Sequence, residues 1–536
     1  MRLSRRTRLV GVALIAAASL TLAGCGGGEG ETTDAVISVN GSEPQNPLVP
    51  TMTNETGGGH IIDQLFAGLV SYNKDGSIQN EVAESIESDD NVLWTIKIKE
   101  GWKFTDGTEV TAASFVDAWN QGALITNNHL NSYFFYPIKG FADVQAETPT
   151  AETMSGLKVV DDYTFTVELE QPENEFPLRL GYSAYFPLPE VAFEDLAAYG
   201  EQPIGNGPYK MAEGGWEHNV SATLEVNEDY DGVRKARNGG LKFVFYTDLD
   251  AAYSDVQAGN LDVLDSVPDS ALTTFQTDDT VQAFAQAGSV FQSFTFPSSD
   301  ARFAGEAGAL RRQAISKAIN REEVTDKIFN GTRTPAKDFS SPTMPGWSGE
   351  IEGSDVLAFD AEGAKKLWAE AEAISPWSGT FEIAYNADGG HQAWVDAVAN
   401  QIKNNLGIDA AGKAYATFDE LRTDVTERTI KTTFRTGWQP DYPSIFNYLQ
   451  PLYQTGAGSN DGDFSNADFD AALKKAAGAT SDEDRYAAMI EAQEILFKTL
   501  PAIPLWNSSV TAAAAIGVEG VSFNWQNVLE YYLVTK

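Results

Sequence analysis

The alternation of apolar and polar residues predicts several short β-strands along the chain. A period of two places successive side chains on opposite faces of a sheet, and β-branched or aromatic residues favour that conformation. The segments 93–99 and 163–169 show the alternation expected of antiparallel strands with one exposed face. The full set of predicted strands is 35–39, 93–99, 163–169, 241–246 and 262–267.

Apolar residues recur at helical spacing in other segments, which predicts amphipathic helices. After a triple glycine, the segment 61–69 places its large apolar side chains on one helical face, and the segment 115–119 does the same after an Asp-Gly turn. The longest pattern predicts one helix that begins near Gly308 and ends before Gly331, a residue that suits the position after a helix end.

Two capping-box patterns predict further helix starts. Thr417 is followed three residues later by Glu420, and Ser481 is followed at the same distance by Asp484. Pro501 is expected to end the second of these helices. Strands and helices thus alternate irregularly along the whole chain, which predicts an α/β protein with mixed sheets.

The amino-terminal segment combines positive charge, an apolar run and the single cysteine of the chain. Four arginines precede the run LVGVALIAAASLTLAG, which is short for a membrane span and typical of a secretory signal peptide. The run ends in LAGC, which resembles the lipobox of bacterial lipoproteins, where cleavage precedes a cysteine that carries diacylglycerol. We therefore expect a signal peptide over 1–24, a lipid on Cys25 and a glycine-rich linker over 25–34.

Length and charge narrow the classes of function. The 536 residues are enough for two or three domains with a large buried core. The formal net charge of −39 argues against nucleic acid as a partner, because contact with phosphate needs clustered lysine and arginine. One acylated cysteine would exclude disulfides and thiol catalysis in the processed chain. We expect a protein on the extracytoplasmic face of the cell membrane, attached through Cys25.

No pattern in the sequence matches a catalytic or metal-binding motif. The four histidines are dispersed, and the sequence lacks the HExxH spacing of a zinc site and the GxSxG turn of a serine hydrolase. Carboxylates are so numerous that a single pair of them carries no weight as a catalytic signal. We therefore predict a binding protein that needs no cofactor or metal. A secreted hydrolase is the alternative from another class.

One stretch, RTGWQPDYPS at residues 435–444, places a base and an acid around a tryptophan. A peptide zwitterion that enters an enclosed cleft loses water from both charged ends, and each end then needs a partner. Asp441 can accept hydrogen bonds from an ammonium group, Arg435 can pair with a carboxylate, and Trp438 offers a flat apolar surface. The same residues also suit a solvated surface turn.

Several longer motifs follow one another along the chain. They are SEPQNPLVPTMTNETGGGHIIDQLFAGLVSY, AESIESDDNVLWTIKIKEGWKFTDG, PIGNGPYK, LRRQAISKAINREEV, GWQPDYP and RYAAMIEAQEILFKTLPAIPLW. In this order they resemble the solute-binding proteins of ABC peptide importers, which form the oligopeptide- and dipeptide-binding family (extracellular solute-binding family 5). The resemblance extends from about residue 35 to residue 536.

The resemblance implies an α/β protein with the two-lobed periplasmic-binding-protein (flytrap) fold, mixed sheets and an extra inserted domain. Crossing strands would join the two lobes, which would close over a ligand. Projected onto this chain, lobe I comprises 35–70, 185–288 and 505–536, the inserted domain comprises 71–184, and lobe II comprises 289–504.

The resemblance also implies the residues that contact the ligand. Asp441 would receive the α-ammonium of a bound peptide, and Arg435 would help to neutralise its carboxyl terminus. Main-chain pairing of the peptide with a cleft strand would add affinity without sequence preference, and the segment 43–46 is the candidate for part of that strand. The full set of predicted ligand-binding residues is Asp441, Arg435, Trp438, Tyr442, Gln45 and Asn46.

The predicted function is that of a lipid-anchored receptor that binds peptides and delivers them to the permease subunits of an ABC importer. We expect it to act as a monomer. A binding protein of the same fold for oligosaccharides is the alternative, because the many aromatic residues could form stacking surfaces for sugars. Nickel held directly by the protein is disfavoured, since the chain has only four histidines.

Overall fold

The computed structural model describes residues 33–268, 270–387, 390–416 and 418–536. The predicted signal peptide, Cys25 and nearly all of the predicted linker lie outside these residues. Within the part of the chain that is described, no helix is long and apolar enough to cross a membrane.

Helices are distributed along the whole described chain. Over the described residues, the α-helices are α1 Thr56–Leu65, α2 Ala112–Ala123, α3 Phe141–Val144, α4 Phe176–Arg179, α5 Leu196–Glu201, α6 Leu249–Ala258, α7 Gly305–Lys317, α8 Arg321–Lys327, α9 Ala361–Ile374, α10 Gln392–Leu406, α11 Phe418–Thr426, α12 Phe446–Tyr453, α13 Ala467–Ala477 and α14 Asp482–Thr499.

Strands alternate with these helices and form three sheets in the described part. The strands are β1 Val36–Gly41, β2 Val70–Tyr72, β3 Ile78–Asn80, β4 Ala83–Glu87, β5 Leu93–Ile98, β6 Leu157–Asp161, β7 Thr164–Glu168, β8 Tyr209–Glu217, β9 Ser221–Val226, β10 Gly240–Phe245, β11 Val263–Leu264, β12 Val281–Thr295, β13 Arg333–Pro335, β14 Phe381–Asn386, β15 Ala410–Tyr415, β16 Thr433–Trp438 and β17 Ala502–Ala515.

The largest sheet contains both parallel and antiparallel pairs, so the predicted α/β class with mixed sheets is confirmed. Its strand order is β15-β14-β16-β12-β17-β11-β1-β10-β9-β8, and β13 pairs with β17. β1 and β10 are parallel, whereas the long strands β12 and β17 are antiparallel. Two smaller antiparallel sheets have the orders β2-β3 and β4-β5-β7-β6.

Two large apolar cores lie at opposite ends of β12 and β17. On β12, Val281 packs in the first core and Phe291 packs in the second. On β17, Val510 belongs to the first core and Trp506 to the second. The first core otherwise draws on residues before β12 and on the carboxyl-terminal segment, and the second draws mainly on residues between β12 and β17. These two strands therefore connect the cores. The predicted bounds of lobe I, the inserted domain and lobe II remain a prediction.

The structure confirms most of the strand predictions. The segments 35–39, 93–99, 163–169 and 241–246 correspond to β1, β5, β7 and β10, and β5 pairs with β7 in the antiparallel sense. The prediction for 262–267 is too long, because only β11 forms there. Beyond β11 the pairing is limited to an isolated bridge between Ser266 and Thr511 of β17.

The prediction of one helix from Gly308 to Gly331 is wrong, because α7 and α8 are separate elements. The side-chain oxygen of Asn320 accepts a hydrogen bond from the Glu323 main-chain N–H at 3.1 Å, which caps a new helix. At the start of α14, the Ser481 hydroxyl accepts the Asp484 N–H at 3.2 Å as predicted. The capping prediction for Thr417 lies outside the described residues.

Candidate functional site

A cavity of about 270 Å³ lies where segments associated with the two cores meet. One wall consists of α1 with the loop before it, and β2. The lining also includes the loop after β16, which carries part of the stretch singled out in the sequence. The lining residues are Thr53, Asn54, Glu55, Thr56, Gly59, His60, Asp63, Gln64, Val70, Ser71, Tyr72, Glu81, Gly181, Tyr182, Ser183, Phe186, Arg234, Gln439, Pro440, Asp441, Asn524, Gln526, Val528, Leu529, Glu530, Tyr531 and Tyr532.

Asp441 lines this cavity and is held by Asn447, a residue of α12. The Asp441 main-chain N–H donates to Asn447 Oδ1 at 2.8 Å, and Asn447 Nδ2 donates back to Asp441 Oδ2 at 3.1 Å. Because α12 follows the loop closely in sequence, the turn between them brings the amide to the carboxylate. The carboxylate is thereby oriented by neutral groups and makes no ion pair among the described residues.

Burial raises the pKa of Asp441 to about 6, against the hydrogen bond from Asn447 and the attraction of Arg179. The surroundings therefore disfavour the negative charge that this carboxyl carries at neutral pH. A cation that entered the cavity would compensate the charge and restore hydrogen bonds that water no longer provides. The site suits an ammonium or guanidinium group.

The loop that carries Asp441 is held on both sides. Gln526 Nε2 donates to the Pro440 carbonyl oxygen at 3.2 Å. Three residues after Asp441, the Ser444 hydroxyl donates to Glu175 Oε2 at 2.6 Å and accepts the Phe446 N–H at 2.9 Å. The loop is thus fixed to elements far from it in sequence, which preorganises the carboxylate.

Other acidic residues give the cavity a negative character. Burial raises the pKa of Asp63 to about 6, against the attraction of Arg234. Arg234 is the single lysine or arginine among the lining residues, and its Nε lies 3.2 Å from Glu81 Oε1. Burial lowers the pKa of His60, against the attraction of Asp265 and Glu55, so this ring adds no positive charge at neutral pH.

Arg435 lies outside the set of residues that line this cavity. It is part of β16 and faces Phe294 of β12 across the strand pair. Its Nε donates to Asn386 Oδ1 at 2.9 Å, and its guanidinium lies 5.3 Å from the centre of the Phe418 ring. The structure therefore does not bring Arg435 and Asp441 together in one site, although they are close in sequence.

Trp438 and Tyr442 flank Asp441 in sequence without lining its cavity. Trp438 is joined to Asp441 through Asn447, because its Nε1 donates to Asn447 Oδ1 at 3.4 Å. Its ring borders a separate hollow of about 20 Å³. Tyr442 is fully buried, and the Arg179 guanidinium lies 4.8 Å from its ring centre.

Gln45 and Asn46 lie in a bent segment after β1, so the prediction that they belong to a strand is wrong. Proline at position 44 removes one main-chain donor there, which disfavours a continued ladder. The Gln45 N–H donates to Glu55 Oε1 at 3.2 Å, and Glu55 lines the cavity. Neither Gln45 nor Asn46 lines it directly.

The sequence predictions missed Asp63, Gln64 and Ser71, which line the same cavity as Asp441. A signal was present in the pattern HIIDQL, where two polar residues interrupt an apolar helical segment. This signal was weak, because a polar residue in an amphipathic helix usually faces solvent. Ser71 of β2 reaches the cavity only because the chain folds back after α1, and no local sequence pattern predicts that path.

A larger, open groove of about 1590 Å³ lies elsewhere, beside α2. Its lining includes many carboxylates but none of the predicted ligand-binding residues. We consider the smaller cavity the better candidate, because it is more enclosed and holds a half-buried carboxylate. No group of three histidine, cysteine, aspartate or glutamate residues within the described ranges could hold a metal ion.

Two bacterial peptide-binding proteins are similar to the chain over nearly its whole length. The oligopeptide-binding protein OppA of Bacillus subtilis is 26% identical over 545 residues, which cover 97% of each protein. The dipeptide-binding protein DppE of the same organism is 26% identical over 529 residues and 94% of each protein.

Solved structures resemble the fold. The murein tripeptide-binding protein MppA of Escherichia coli has a TM-score of 0.75 and 22% identity, and the match covers 94% of this chain and 98% of that one. The predicted two-lobed periplasmic-binding-protein fold is thereby confirmed. The family described as bacterial extracellular solute-binding proteins, family 5 Middle, matches residues 77–460. The chain belongs to family 5 of the bacterial extracellular solute-binding proteins.

Proposed function

We propose that the protein is a receptor that binds short peptides in the cavity next to Asp441 and delivers them to the permease of an ABC importer. Asp441 accepts the α-ammonium group of the peptide. The observation that carries this proposal is a half-buried carboxylate that lines a cavity, is oriented by Asn447 and has no ion-pair partner in the described structure.

The family and the named relatives support a binding role. The relatives are described as oligopeptide-, dipeptide- and murein peptide-binding proteins. The volume of about 270 Å³ is near the lower end of ligand cavities in proteins, which favours a peptide of few residues. We propose binding without catalysis, cofactor or metal, and a monomeric receptor.

The proposal can be tested by calorimetry with trialanine and N-acetyl-trialanine as ligands. Acetylation removes the ammonium charge, and Asp441→Asn removes the carboxylate. We expect each change alone to weaken binding by about 2 to 5 kcal/mol, because each leaves the opposite charge buried without a partner. The two losses should overlap strongly when both changes are combined, since they remove the same interaction.

Asp89→Asn is the matched control, because Asp89 is an exposed aspartate outside the cavity. This variant should bind trialanine like the unmodified protein. Equal affinity of Asp441→Asn and the unmodified protein for trialanine would contradict the proposal. Retention of a hexose-containing compound, detected by native mass spectrometry of the purified protein, would favour the oligosaccharide alternative, in which Asp441→Asn is well tolerated.

We also propose that Cys25 carries the lipid that attaches the receptor to the outer face of the cell membrane. The basic residues, apolar run and LAGC motif before this cysteine support the proposal. The Cys25→Ser variant should lose the lipid-derived mass and leave the membrane fraction. A variant that keeps both the added mass and the membrane association would contradict the anchor.

A further inference from the structure

The open groove beside α2 lies apart from the cavity at Asp441, and the two share no lining residue. One wall of the groove is a side of α2, and the segment 188–194 forms another. The segments 104–109 and 149–153 contribute the rest of the lining. The volume of about 1590 Å³ exceeds that of ordinary small-molecule pockets, so the groove has room for a segment of another macromolecule.

α2 turns one side to the core and the other to the groove. Phe115 and Trp119 are fully buried on the core side. The groove side is formed by residues mostly three or four positions apart, which share one side of a helix. These residues are Ala113, Ser114, Asp117, Asn120, Gln121 and, at the end of the helix, Leu124. All of them are half-buried or exposed, so this side of α2 is open to a partner.

Apolar side chains are accessible on two walls of the groove. Leu124 at the end of α2 is half-buried, and so is Phe193 on the segment 188–194. Val191 on the same segment is 44% exposed. Covering such side chains with another apolar surface removes them from water, which is favourable. The groove therefore offers apolar contacts as well as polar ones.

The groove is also acidic, and its lining contains no lysine, arginine or histidine. The acidic residues of the lining are Asp106, Glu109, Asp117, Glu152, Glu190 and Glu194. None of them forms an ion pair within 4.0 Å in the part of the chain that the structure describes. Partial burial and the negative charge of Glu190 raise the pKa of Asp117, so the carboxylates on the two walls repel each other.

We propose that this groove docks a basic segment of a partner protein, in which lysine or arginine side chains alternate with apolar ones. The cationic groups compensate the carboxylates, and the apolar side chains cover Val191, Leu124 and Phe193. A second copy of this chain is disfavoured as the occupant, because it would bring a net charge of −39 to an acidic surface. The inference is independent of the peptide that binds at Asp441.

The test uses a fluorescent peptide, acetyl-Lys-Leu-Lys-Val-Lys-Leu-Lys-amide, and measures its binding by anisotropy at physiological salt. The double variant Asp117→Asn and Glu190→Gln should weaken binding by about fivefold, because two carboxylates no longer face the lysines. The matched control is the double variant Glu228→Gln and Asp229→Asn, which removes the same charge from two exposed acids outside the groove. The control should bind this peptide within about 1.5-fold of the unmodified protein.

The apolar contacts are tested with Val191→Thr, which keeps the shape of the side chain and adds a hydroxyl. It should weaken the binding of the mixed peptide by about twofold to threefold and leave the binding of acetyl-hexalysine-amide unchanged. Val220→Thr is the control, because Val220 is 47% exposed and lies outside the groove. Thermal melting of every variant confirms that it is folded.

The outcomes separate docking in the groove from a general attraction to an acidic protein. If the groove and control double variants bind the mixed peptide equally, or if Val191→Thr has no effect, the inference is wrong. Displacement of the mixed peptide by equimolar spermine would assign the groove to small polyamines and also overturn the inference. Calorimetry with trialanine should give the same affinity for all these variants. If trialanine does not bind but the differences between groove and control variants hold, the inference stands and the proposed function is wrong.

Discussion

Two groups of acids, one buried and one half-buried at the cavity, differ in how their charge is compensated. Behind the loop, Glu173 pairs with Arg179, and Glu175 Oε1 lies 3.2 Å from Arg485 Nε. In the cavity, Asp441 and Asp63 have no such ion pair among the described residues. Each acid of the first group has an arginine partner, whereas the acids of the second group do not. Burial nevertheless raises the pKa of Glu175 to about 7, against the attraction of Arg485.

The difference indicates separate tasks for the two groups. The paired group joins the loop before α4 to α14 through the Glu175–Arg485 pair. Arg179 of α4 also packs on Tyr442 and donates to the Tyr136 hydroxyl at 2.7 Å. A complete set of partners inside the protein suits a structural contact. Acids that lack such partners cost stability, and a cationic ligand that compensates them gains affinity.

The largest change in stability is expected when one arginine of the paired group is removed. Arg179→Met leaves two buried carboxylates with one arginine between them, so it should lower the free energy of unfolding by about 3 to 5 kcal/mol. Urea unfolding followed by fluorescence measures this loss. Lys74→Met, at an exposed position, is the control and should unfold like the unmodified protein. A loss for Arg179→Met no larger than that of the control would contradict the structural role.

The unpaired group should behave in the opposite way in the absence of ligand. The folded-state pKa of Asp441, about 6, is above its unfolded value, so its contribution to stability is present at low pH and is lost as pH rises through 6. Asp441→Asn should therefore raise the free energy of unfolding at pH 7.5 by about 2 kcal/mol relative to the unmodified protein, and by much less at pH 4.5.

Urea unfolding of both proteins at the two pH values checks the expectation for Asp441. Asp89→Asn should show no such difference between the two pH values. An equal effect of Asp441→Asn at pH 4.5 and pH 7.5 would mean that the buried charge is not the cause.

A smaller effect is expected at the boundary between the two groups. Ser444→Ala removes the hydrogen bond to Glu175 and the acceptor for the Phe446 N–H. It should lower the free energy of unfolding by about 1 to 2 kcal/mol, because buried partners then lose a hydrogen bond. If the hydrogen bond between Ser444 and Glu175 also positions Asp441, the peptide affinity measured by calorimetry should fall together with the stability. Unchanged stability would show that the contact contributes nothing.

The smallest effect, a change in peptide affinity, is expected for substitution of Arg435. This side chain bonds Asn386 and lies outside the cavity lining, so Arg435→Gln should change the affinity for trialanine by less than about threefold. Calorimetry with the same peptide as for Asp441→Asn makes the two results comparable. A loss similar to that of Asp441→Asn would support the sequence prediction that Arg435 neutralises the carboxyl terminus.

Much of the fold could be predicted because its cause is local. Alternating residues form β5 and β7, and a serine three residues before an acid caps α14. The break between α7 and α8 was missed because one asparagine cap outweighed an apolar pattern that continues across it. Local patterns indicate where elements form, but a single competing hydrogen bond can move their ends.

The candidate site was predicted only in part. Asp441 was found because an acid between two prolines is conspicuous in the sequence, and family resemblance gave it a role. Arg435 lies outside the cavity lining, because β16 ends at Trp438 and only the residues that follow it reach the cavity; its role in binding stays a prediction. The rest of the cavity lining combines α1 with β2 and other segments, so no single stretch of sequence displays it.

By itself, the sequence determined several of the secondary-structure elements, the order of the family motifs and the presence of a distinctive acid at position 441. Only the tertiary structure decided which buried charges are compensated. Arg179 reaches Tyr442 and Arg485 reaches Glu175 across hundreds of residues, whereas Asp441 and Asp63 meet a cavity. The physical reason is that compensation of a charge depends on burial and on distances of a few ångströms, which the folded chain sets and the sequence order does not.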